Sequence, residues 1–433
     1  MKTGALWICL GLGCLLAGCA NANLTTDAPR EYISWLKGLK QEMREKGISQ
    51  KTLDQVYVQD YYHSQPEAVK IDRRQTEFIL SSTDYVNRII NRKKVEEGRK
   101  LAKELAPLLQ PISRQYGIPA EYIIAFWGLE TNYGKNFGSY LTVEVLTQLS
   151  YDRRRSAFFK KELYETLKII DTWQIDYTKI QGSWAGAMGH FQFMPSTFNA
   201  YAVDYNRDGQ IDIWHSFEDA AASAANYLSS LGWQENQPWG SEATLPWNFD
   251  FSLSGRQTRK PIKEWLDMGV KPLNNLAQIK ADPQALASLI VPEGRKGKAY
   301  LILDNFRRIM VWNRSENYAL AIGILADYIA SEAPWQPLKA DPSLRLKTDD
   351  VMAFQTLINR LGWFQLQEDG KLGTATREAV RDVQTRANLP ADGYPDYRLL
   401  QKIRAYNPEI GFSVPVPERK LHNGGKEALR SRK

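Results

Sequence analysis

One glutamate, Glu130, lies among aromatic residues in the segment FWGLETNYGKNFG (126–138). Neighbouring apolar rings disfavour a charged carboxylate, so burial beside them raises the pKa of a carboxyl group. A carboxyl group that keeps its proton near pH 7 can act as a general acid, for example on a glycosidic oxygen. The alternative is a glutamate at a helix end that faces solvent or pairs with a cation, and spacing does not choose between the two.

The residues around Glu130 predict a helix that ends just after it. Pro119 suits a first helical turn, and Glu121 suits the positive end of the helix dipole. Asn132 and Gly134 are expected to end the helix. Helical spacing places Glu130 on one apolar face, which it shares with Ile123, Phe126 and Trp127. The negative end of the dipole is a second reason to expect a raised pKa.

A second segment, GSWAGAMGHFQFMPSTF (182–198), combines small, polar and aromatic residues. Its glycines and alanines let the backbone approach a ligand closely. The hydrogen-bonding and flat side chains are Ser183, His190, Gln192, Trp184, Phe191 and Phe193. This mixture suits a sugar-binding groove. The alternative, a tight helix-packing seam, accounts for Gly186 and Ala187 but not for the polar residues.

Read together, GLETNYG and SWAGAMGHFQFMPSTF resemble the motifs of the lytic murein transglycosylase B family, which usually has glycine where Phe191 stands. The resemblance runs from about 31 to 335. It implies a mainly α fold, with a lysozyme-like helical catalytic domain and a small inserted module. It also implies catalytic Glu130, and Trp312 stands where the family often has tyrosine. The implied substrate contacts are Tyr85, Ser183, Gln192, Phe193, Tyr227, Trp312, Asn313 and Tyr318.

The resemblance further implies a non-hydrolytic reaction on peptidoglycan. Glu130 would protonate the β-1,4 bond between N-acetylmuramic acid and N-acetylglucosamine, and would then act as base while a 1,6-anhydro ring closes. This route needs no second carboxylate, and Glu144 and Asp152 read as helix-surface residues. Two alternatives stay open: a wall-binding scaffold without catalysis, and a muramidase that delivers water.

The segment DYNRDGQIDIWHSFE (204–218) follows the opening of a calcium-binding EF-hand loop. The family loop that it resembles is three residues longer than an EF-hand, so Glu218 rather than His215 matches the closing acid. The candidate ligands are Asp204, Asn206, Asp208, the carbonyl of Gln210, and Glu218. We therefore expect a structural calcium ion and no required cofactor. The alternative is a metal-free cluster of Asx turns.

The N-terminal residues predict export. Lys2 precedes an apolar run over 5–16 that is too short to span a bilayer, and LAGC (16–19) resembles a lipoprotein processing site. Cys19 would then carry the lipid, and Ala20 after it implies sorting to the outer membrane. The alternative is an ordinary signal cleavage nearby. All three cysteines lie in this segment, so no disulfide is expected.

Composition limits the partners without choosing among them. The chain has 433 residues, a net charge of +7 and a pI near 9.0, which favours an acidic partner. Such a partner could be nucleic acid, an anionic membrane or an acidic wall polymer. No nucleic-acid-binding motif is recognisable, so we expect no nucleic acid as a partner. The two resemblances imply peptidoglycan strands and the outer membrane as partners, and we expect a monomer.

The chain divides into a leader, two domains and a tail. We predict a signal peptide over 1–18, a tether over 19–30, a catalytic domain over 31–335 and a basic disordered tail over 406–433. Within the catalytic domain, 236–262 reads as loops or a small inserted module, and 331–342 reads as a linker rich in proline.

The region 341–405 is predicted as a small three-helix domain. It has helix-like runs at 349–361 and 375–387 and two Asp-Gly pairs 23 residues apart. The motifs LQEDGKLGTATREAV and LPADG resemble a peptidoglycan-binding domain. Such a domain would keep the enzyme on its polymer and raise the local concentration of glycan.

Overall fold

The computed structural model describes residues 30–57, 68–69 and 80–406. The predicted signal peptide with Cys19, the tether before Arg30 and the basic tail after Tyr406 lie outside these residues. Within the described part of the chain, every helix is too short or too polar to cross a bilayer.

Helices form most of the body up to residue 230. They are α1 (Arg30–Glu45), α2 (Gln50–Val56), α3 (Ser82–Ile89), α4 (Arg92–Glu104), α5 (Ala106–Tyr116), α6 (Ala120–Thr131), α7 (Thr142–Tyr151), α8 (Ser156–Trp173), α9 (Pro195–Tyr201) and α10 (Phe217–Ser230). A two-stranded antiparallel ribbon, β1 (Tyr140–Leu141) with β2 (Gln181–Gly182), interrupts them. The predicted mainly α fold is confirmed.

The helix that carries Glu130, α6, is buried on nearly all sides. Every residue from Tyr122 to Gly128 is buried, so the expectation of a single apolar face is wrong. A helix that is apolar all round belongs in the centre of a core. The predicted end is confirmed: Asn132 and Gly134 have positive φ angles of 52° and 76°.

The inserted module is a folded unit and is larger than the predicted 236–262. It contains β3 (Gly240–Thr244), β4 (Lys260–Pro261), α11 (Ile262–Asp267), β5 (Lys271–Pro272), α12 (Leu276–Ala281), β6 (Leu286–Ile290) and β7 (Ala299–Ile302). The strands form an antiparallel sheet in the order β4-β6-β7-β3-β5. Because β6 and β7 are buried along nearly their whole length, they lack the alternating pattern of a half-exposed strand.

Two further helices return the chain to the body: α13 (Asp304–Trp312) and α14 (Glu316–Ala330). Helix α14 is buried from Tyr318 to Ala326 and packs against α6. Together, α6 and α14 form the centre of the main hydrophobic core.

The C-terminal domain has three helices, α15 (Thr348–Arg360), α16 (Thr374–Arg386) and α17 (Tyr397–Arg404), around its own core. Two buried glutamines hold the Asp-Gly turns. The Gln355 amide donates to Asp369 at 3.0 Å and accepts from the backbone N–H of Gly370 at 2.8 Å. Gln384 makes the same pair of bonds to Asp392–Gly393, at 2.6 and 2.9 Å. The weak sequence repeat is therefore a repeated structural device.

The predicted linker over 331–342 is attached to the helical body at Trp335 and Leu338, although most of its residues are exposed. Trp335 is 7% exposed, and its ring lies 4.8 Å from that of Tyr328. The Asn87 side chain binds both backbone groups of Leu338, at 2.8 and 2.7 Å. The connection between the two domains is thus held to the catalytic domain at these positions.

Candidate active site

The carboxyl group of Glu130 lies at the C-terminal end of α6, between that helix and α14. Its Oε1 atom accepts one hydrogen bond from the Tyr318 hydroxyl at 2.5 Å and one from the Trp312 indole N–H at 3.0 Å. Burial raises the pKa of Glu130 to about 7, although the two hydrogen bonds lower it. The group can therefore both give and accept a proton near neutral pH.

The two oxygens of Glu130 have different surroundings. An indole N–H can only donate, so Oε1 must be an acceptor and the proton of the neutral acid belongs on Oε2. Oε2 is buried and has no hydrogen-bond partner among the described atoms. Leaving such an atom unpaired costs roughly 1–3 kcal/mol, so this oxygen is suited to a partner that arrives with a ligand.

Aromatic side chains form a wall next to this carboxyl group. The Trp312 ring lies 4.5 Å from Phe126, 5.5 Å from Phe193 and 5.2 Å from Tyr227. Burial raises the pKa of Tyr227 to about 12, so its hydroxyl stays protonated. Flat rings with polar edges suit contact with a sugar.

The side chains of Ser183 and Gln192 make hydrogen bonds to the backbone in and next to their own segment, 182–198, which we call the glycine-rich loop. Ser183 Oγ accepts from the backbone N–H of Ala187 at 3.1 Å. The Gln192 amide donates to the carbonyls of Phe137 and Gly189, both at 3.1 Å. Both residues are 8% exposed, so only a small part of each side chain can contact a ligand, and their main role is to hold the shape of the loop.

His190 joins this loop to the helix of Glu130, a link that the sequence did not suggest. The Trp127 indole N–H donates to His190 Nδ1 at 2.9 Å, and the Thr131 hydroxyl donates to the His190 carbonyl at 2.8 Å. Burial lowers the pKa of His190 to about 4, so the ring is neutral and its Nδ1 atom accepts. Phe191, where the resembling family has glycine, is 2% exposed and is therefore a core residue.

Lys94 is another neighbour that spacing could not reveal, since it precedes α6 by a whole helix. Its ammonium group donates to the Gly128 carbonyl at 2.6 Å. Burial lowers the pKa of Lys94 to about 8. The Tyr133 hydroxyl donates in turn to the Lys94 carbonyl at 2.8 Å, which ties the turn after α6 to α4.

Tyr85 lies on α3, which packs against α14, and Asn313 directly follows Trp312. Tyr85, on α3, is close enough to Tyr318 that its charge would raise the Tyr318 pKa, which burial already holds well above 10. Asn313 ends α13, and its side-chain oxygen accepts from the Ser315 N–H at 3.1 Å, so it shapes the turn into α14.

Other buried acids exist, and the sequence did not single them out. Burial raises the pKa of Asp327 to about 7, and its carboxylate accepts from Trp239 and Asn275, each at 3.0 Å. It lies nine residues beyond Tyr318 on α14, roughly 13 Å along the axis, so it cannot share a substrate bond with Glu130. Glu162 is 2% exposed and binds the N–H and hydroxyl of Ser196, both at 2.9 Å.

The first half of the expected calcium loop has its oxygen donors in one short turn. The Asp208 N–H donates to Asp204 at 3.2 Å and to Asn206 at 2.9 Å, and the Gln210 N–H donates to Asp208 at 2.8 Å. Carboxylate and amide oxygens are the donors that calcium prefers. This part of the loop fits the ion chemically.

The expected closing acid, Glu218, is exposed, whereas the next residue, Asp219, is fully buried. Asp219 accepts from the N–H groups of Tyr205 at 2.8 Å and Asp212 at 3.1 Å, and so holds the loop closed. Over 30–57, 68–69 and 80–406, no three histidine, cysteine or acidic residues are arranged to hold a metal ion. Glu218 therefore does not join the other candidate ligands here.

A protonatable glutamate at the end of a buried helix, facing an aromatic wall in a helical body, defines a lysozyme-like enzyme that acts on glycans. Residues 31–327 match the transglycosylase SLT domain family, and residues 347–403 match a peptidoglycan-binding domain family. The chain therefore belongs to the SLT transglycosylases, which are lytic transglycosylases and thus non-hydrolytic glycosidic lyases, and it carries a peptidoglycan-binding domain.

Known relatives support this membership. The chain is 31% identical to the membrane-bound lytic murein transglycosylase B of Escherichia coli over 252 residues, which is 57% of this chain and 66% of that protein. It is 36% identical to SltB3 from Pseudomonas aeruginosa, solved in complex with NAG-anhNAM-pentapeptide, with a TM-score of 0.78 over 87% of this chain and all of that one.

A third relative bears on the metal. The Escherichia coli lytic transglycosylase Slt35 in complex with calcium is 28% identical, with a TM-score of 0.58 over 68% of this chain and 92% of that one.

Proposed function

We propose that the protein cleaves the β-1,4 bond between N-acetylmuramic acid and N-acetylglucosamine in peptidoglycan and leaves a 1,6-anhydromuramic acid end. One observation carries this proposal: Glu130 has a pKa of about 7, two donors on Oε1 and an unpaired, buried Oε2. Such a group can protonate a leaving oxygen and then take a proton back.

In the first step, the Oε2 proton passes to the glycosidic oxygen while the bond from that oxygen to the muramic C1 breaks. The acetamido group of the muramic sugar supports the positive charge that develops at C1. Trp312 and Tyr318 then stabilise the new carboxylate, because hydrogen bonds to a charged acceptor are stronger than those to a neutral one.

In the second step, the carboxylate of Glu130 takes the proton of the C6 hydroxyl of the muramic sugar while the C6 oxygen bonds to C1 of the same sugar. Glu130 is thereby returned to its protonated form, and water takes no part. No second carboxylate is required, which agrees with the position of Asp327, roughly 13 Å along α14 from the Tyr318 that binds Glu130.

The aromatic wall and the glycine-rich loop are proposed to hold the glycan strand. Tyr227 and Trp312, which are partly exposed, would stack on sugar rings. Phe193 is 3% exposed, so it would support the Trp312 ring from behind rather than contact a sugar, and Tyr318 would act through Glu130. Tyr85, Ser183, Gln192 and Asn313 would supply polar contacts at the edges. The bound NAG-anhNAM-pentapeptide of SltB3 supports this class of substrate.

The C-terminal domain is proposed to bind the wall, and Cys19 to carry a lipid that anchors the protein at the periplasmic face of the outer membrane. The membrane-bound character of the Escherichia coli relative supports an anchored enzyme. We further propose that the protein acts as a monomer and does not bind nucleic acid.

Calcium is proposed as a structural ion of the loop 204–218, with Asp204, Asn206, Asp208 and the Gln210 carbonyl as ligands. Glu218 would have to turn inward to complete the set. When bound, the ion would stabilise the loop. The calcium complex of Slt35 supports this proposal.

Digestion of purified sacculi with the full-length protein, followed by mass spectrometry, tests the reaction. We expect anhydro ends from the native protein and none from Glu130→Gln, which should still bind the wall. Glu162→Gln, a change at a buried acid on α8, serves as the control and should release anhydro ends. Reducing ends would instead show a muramidase, and binding without release would show a scaffold.

A further inference from the structure

The start of α3 is held by a buried acid from a distant part of the chain. Glu293 is 5% exposed and precedes a short 3-10 turn, Gly294–Lys296, in the inserted module. Its carboxylate accepts from the Thr83 N–H at 2.8 Å and from the Thr83 hydroxyl at 2.9 Å. The N–H groups of a first helical turn have no partner within the helix, and a carboxylate there also benefits from the helix dipole.

A second contact holds the neighbouring residue of α3. The Arg345 guanidinium, at the entrance to the C-terminal domain, makes two parallel hydrogen bonds to Asp84, at 2.7 and 2.8 Å. This bond to Arg345 lowers the pKa of Asp84. A two-bond Arg–carboxylate pair fixes orientation as well as distance.

The turn that carries Glu293 is itself bound to the C-terminal domain. The Arg295 N–H donates to Asp392 at 2.9 Å, and Arg377 donates to the Pro292 carbonyl at 2.7 Å. Asp392 belongs to the Asp-Gly turn that Gln384 holds. A continuous set of hydrogen bonds therefore runs from the C-terminal domain through the inserted module to α3.

Helix α3 carries Tyr85, the residue after Asp84. This helix has eight residues, too few to be stable alone, so its position depends on the contacts that other elements make with it. Asn317, the neighbour of Tyr318, adds a hydrogen bond to the Leu80 carbonyl at 3.3 Å. Whatever fixes the first turn of α3 therefore also fixes Tyr85 relative to Tyr318 and Glu130.

We propose that Glu293 is a positioning residue for glycan binding: it sets α3, and through α3 the Tyr85 side chain, at the edge of the site. The C-terminal domain takes part through Arg345 and through its bonds to the Glu293 turn. This inference rests on the proposed function, since it takes Tyr85 to be a glycan contact.

Direct binding tests the inference without turnover. The probe is the NAG-NAM-NAG-NAM tetrasaccharide, titrated by calorimetry into the full-length Glu130→Gln protein. We expect Glu293→Ala to raise Kd about tenfold, and the milder Glu293→Gln and the surface change Arg345→Ala to raise it about threefold each. If Glu293→Ala does not fold, the other two variants decide.

A double-mutant cycle with Tyr85→Ala separates positioning from general stability. In the Tyr85→Ala background, the Glu293 and Arg345 changes should alter Kd by less than about twofold, because the side chain that they position is gone. The control is Asp171→Asn, which removes the carboxylate bound at 2.6 Å to Thr52 at the start of α2; it should lower the melting temperature without altering Kd.

Two results would overturn the inference: a Glu293 variant with a lower melting temperature and unchanged Kd, or a loss of binding of the same size with and without Tyr85. Because binding is read in Glu130→Gln, the outcome does not depend on whether sacculi yield anhydro or reducing ends. Failure of the proposed reaction and failure of the positioning role are therefore distinguished.

Discussion

The Tyr318 hydroxyl and the Glu130 carboxyl form a 2.5 Å hydrogen bond between two buried helices, on the same oxygen that Trp312 binds. Both donors favour the charged form of Glu130, whereas burial favours the neutral form. The pKa of about 7 is the result of this opposition. In the proposed reaction, the same contacts therefore set the pH at which Glu130 is protonated and stabilise the carboxylate that acts as base.

The pH dependence of the reaction should follow the pKa of Glu130. The protonated form is needed first, so we expect kcat/KM on peptidoglycan to fall as pH rises above about 7. Measurement of kcat/KM between pH 5 and about 9 checks this. An unchanged rate across that range would exclude Glu130 as the acid.

Removal of one donor should move this pH limit. Tyr318→Phe deletes a hydrogen bond that lowers the pKa of Glu130, so the fall in kcat/KM should shift to higher pH. The maximal rate should drop about tenfold, as the carboxylate loses a bond worth roughly 1–3 kcal/mol. Tyr300→Phe, at a tyrosine 1% exposed in the inserted module, is the control and should leave the profile in place.

The free energy of unfolding should depend on pH because burial disfavours the charged form of Glu130. The pKa of about 7 in the folded protein exceeds the ordinary glutamate value of 4.5, so the stability that protonated Glu130 contributes is complete below pH 4.5 and is lost as pH rises to about 7. Near pH 8, the free energy of unfolding of the Glu130→Gln protein should therefore exceed that of the native protein by up to about 3 kcal/mol. This difference should disappear near pH 4. Denaturant titrations at both pH values measure this, and an equal difference at both would contradict the raised pKa.

The calcium proposal predicts a stability gain that depends on the ion. At one hundred times Kd, bound calcium should add about 2.7 kcal/mol to unfolding of the native protein and nothing to the Asp204→Ala, Asp208→Ala double variant. Asp176→Ala, which removes a similar Asx turn elsewhere, is the control. Equal melting temperatures with calcium and with chelator in the native protein would show that the loop does not bind the ion.

The paired glutamines of the C-terminal domain should be essential to its stability. Gln355→Leu or Gln384→Leu leaves the buried N–H of Gly370 or Gly393 unpaired, at a cost of roughly 1–3 kcal/mol each. Scanning calorimetry of the full chain and sedimentation with sacculi measure the effect. The control Gln401→Leu, on the surface side of α17, should change neither the melting temperature nor the binding to sacculi. If it lowers both as much, the hydrogen bonds of Gln355 and Gln384 to the Asp-Gly turns are not the cause.

Local sequence patterns predicted the parts of the site that depend on neighbours in the chain. The helix of Glu130, its end at Asn132 and the first two helices of the C-terminal domain follow from propensity, turn residues and periodicity. The surroundings of the carboxyl group do not, since Trp312 and Tyr318 lie more than 180 residues away and entered only through a family resemblance.

Other features could not be predicted because burial hides the usual pattern. The strands β6 and β7 have an almost continuous buried surface, so a sheet could not be distinguished from helix or loop there. The prolines over 331–342 predicted a linker, and they gave no sign that Trp335 within it packs against Tyr328. Buried acids such as Glu293 depend on one distant partner and have no local signal at all.

The packed connection over 331–342 limits how the proposed enzyme can travel over the wall. A flexible linker would let the catalytic domain move around the point where the C-terminal domain is bound, and so reach many glycosidic bonds from one binding position. Trp335 and Leu338 attach this connection to the helical body, which restricts movement between the two surfaces that are proposed to contact glycan. In the proposed reaction, a second cut at a distant bond would then require the whole molecule to dissociate from the strand and bind again.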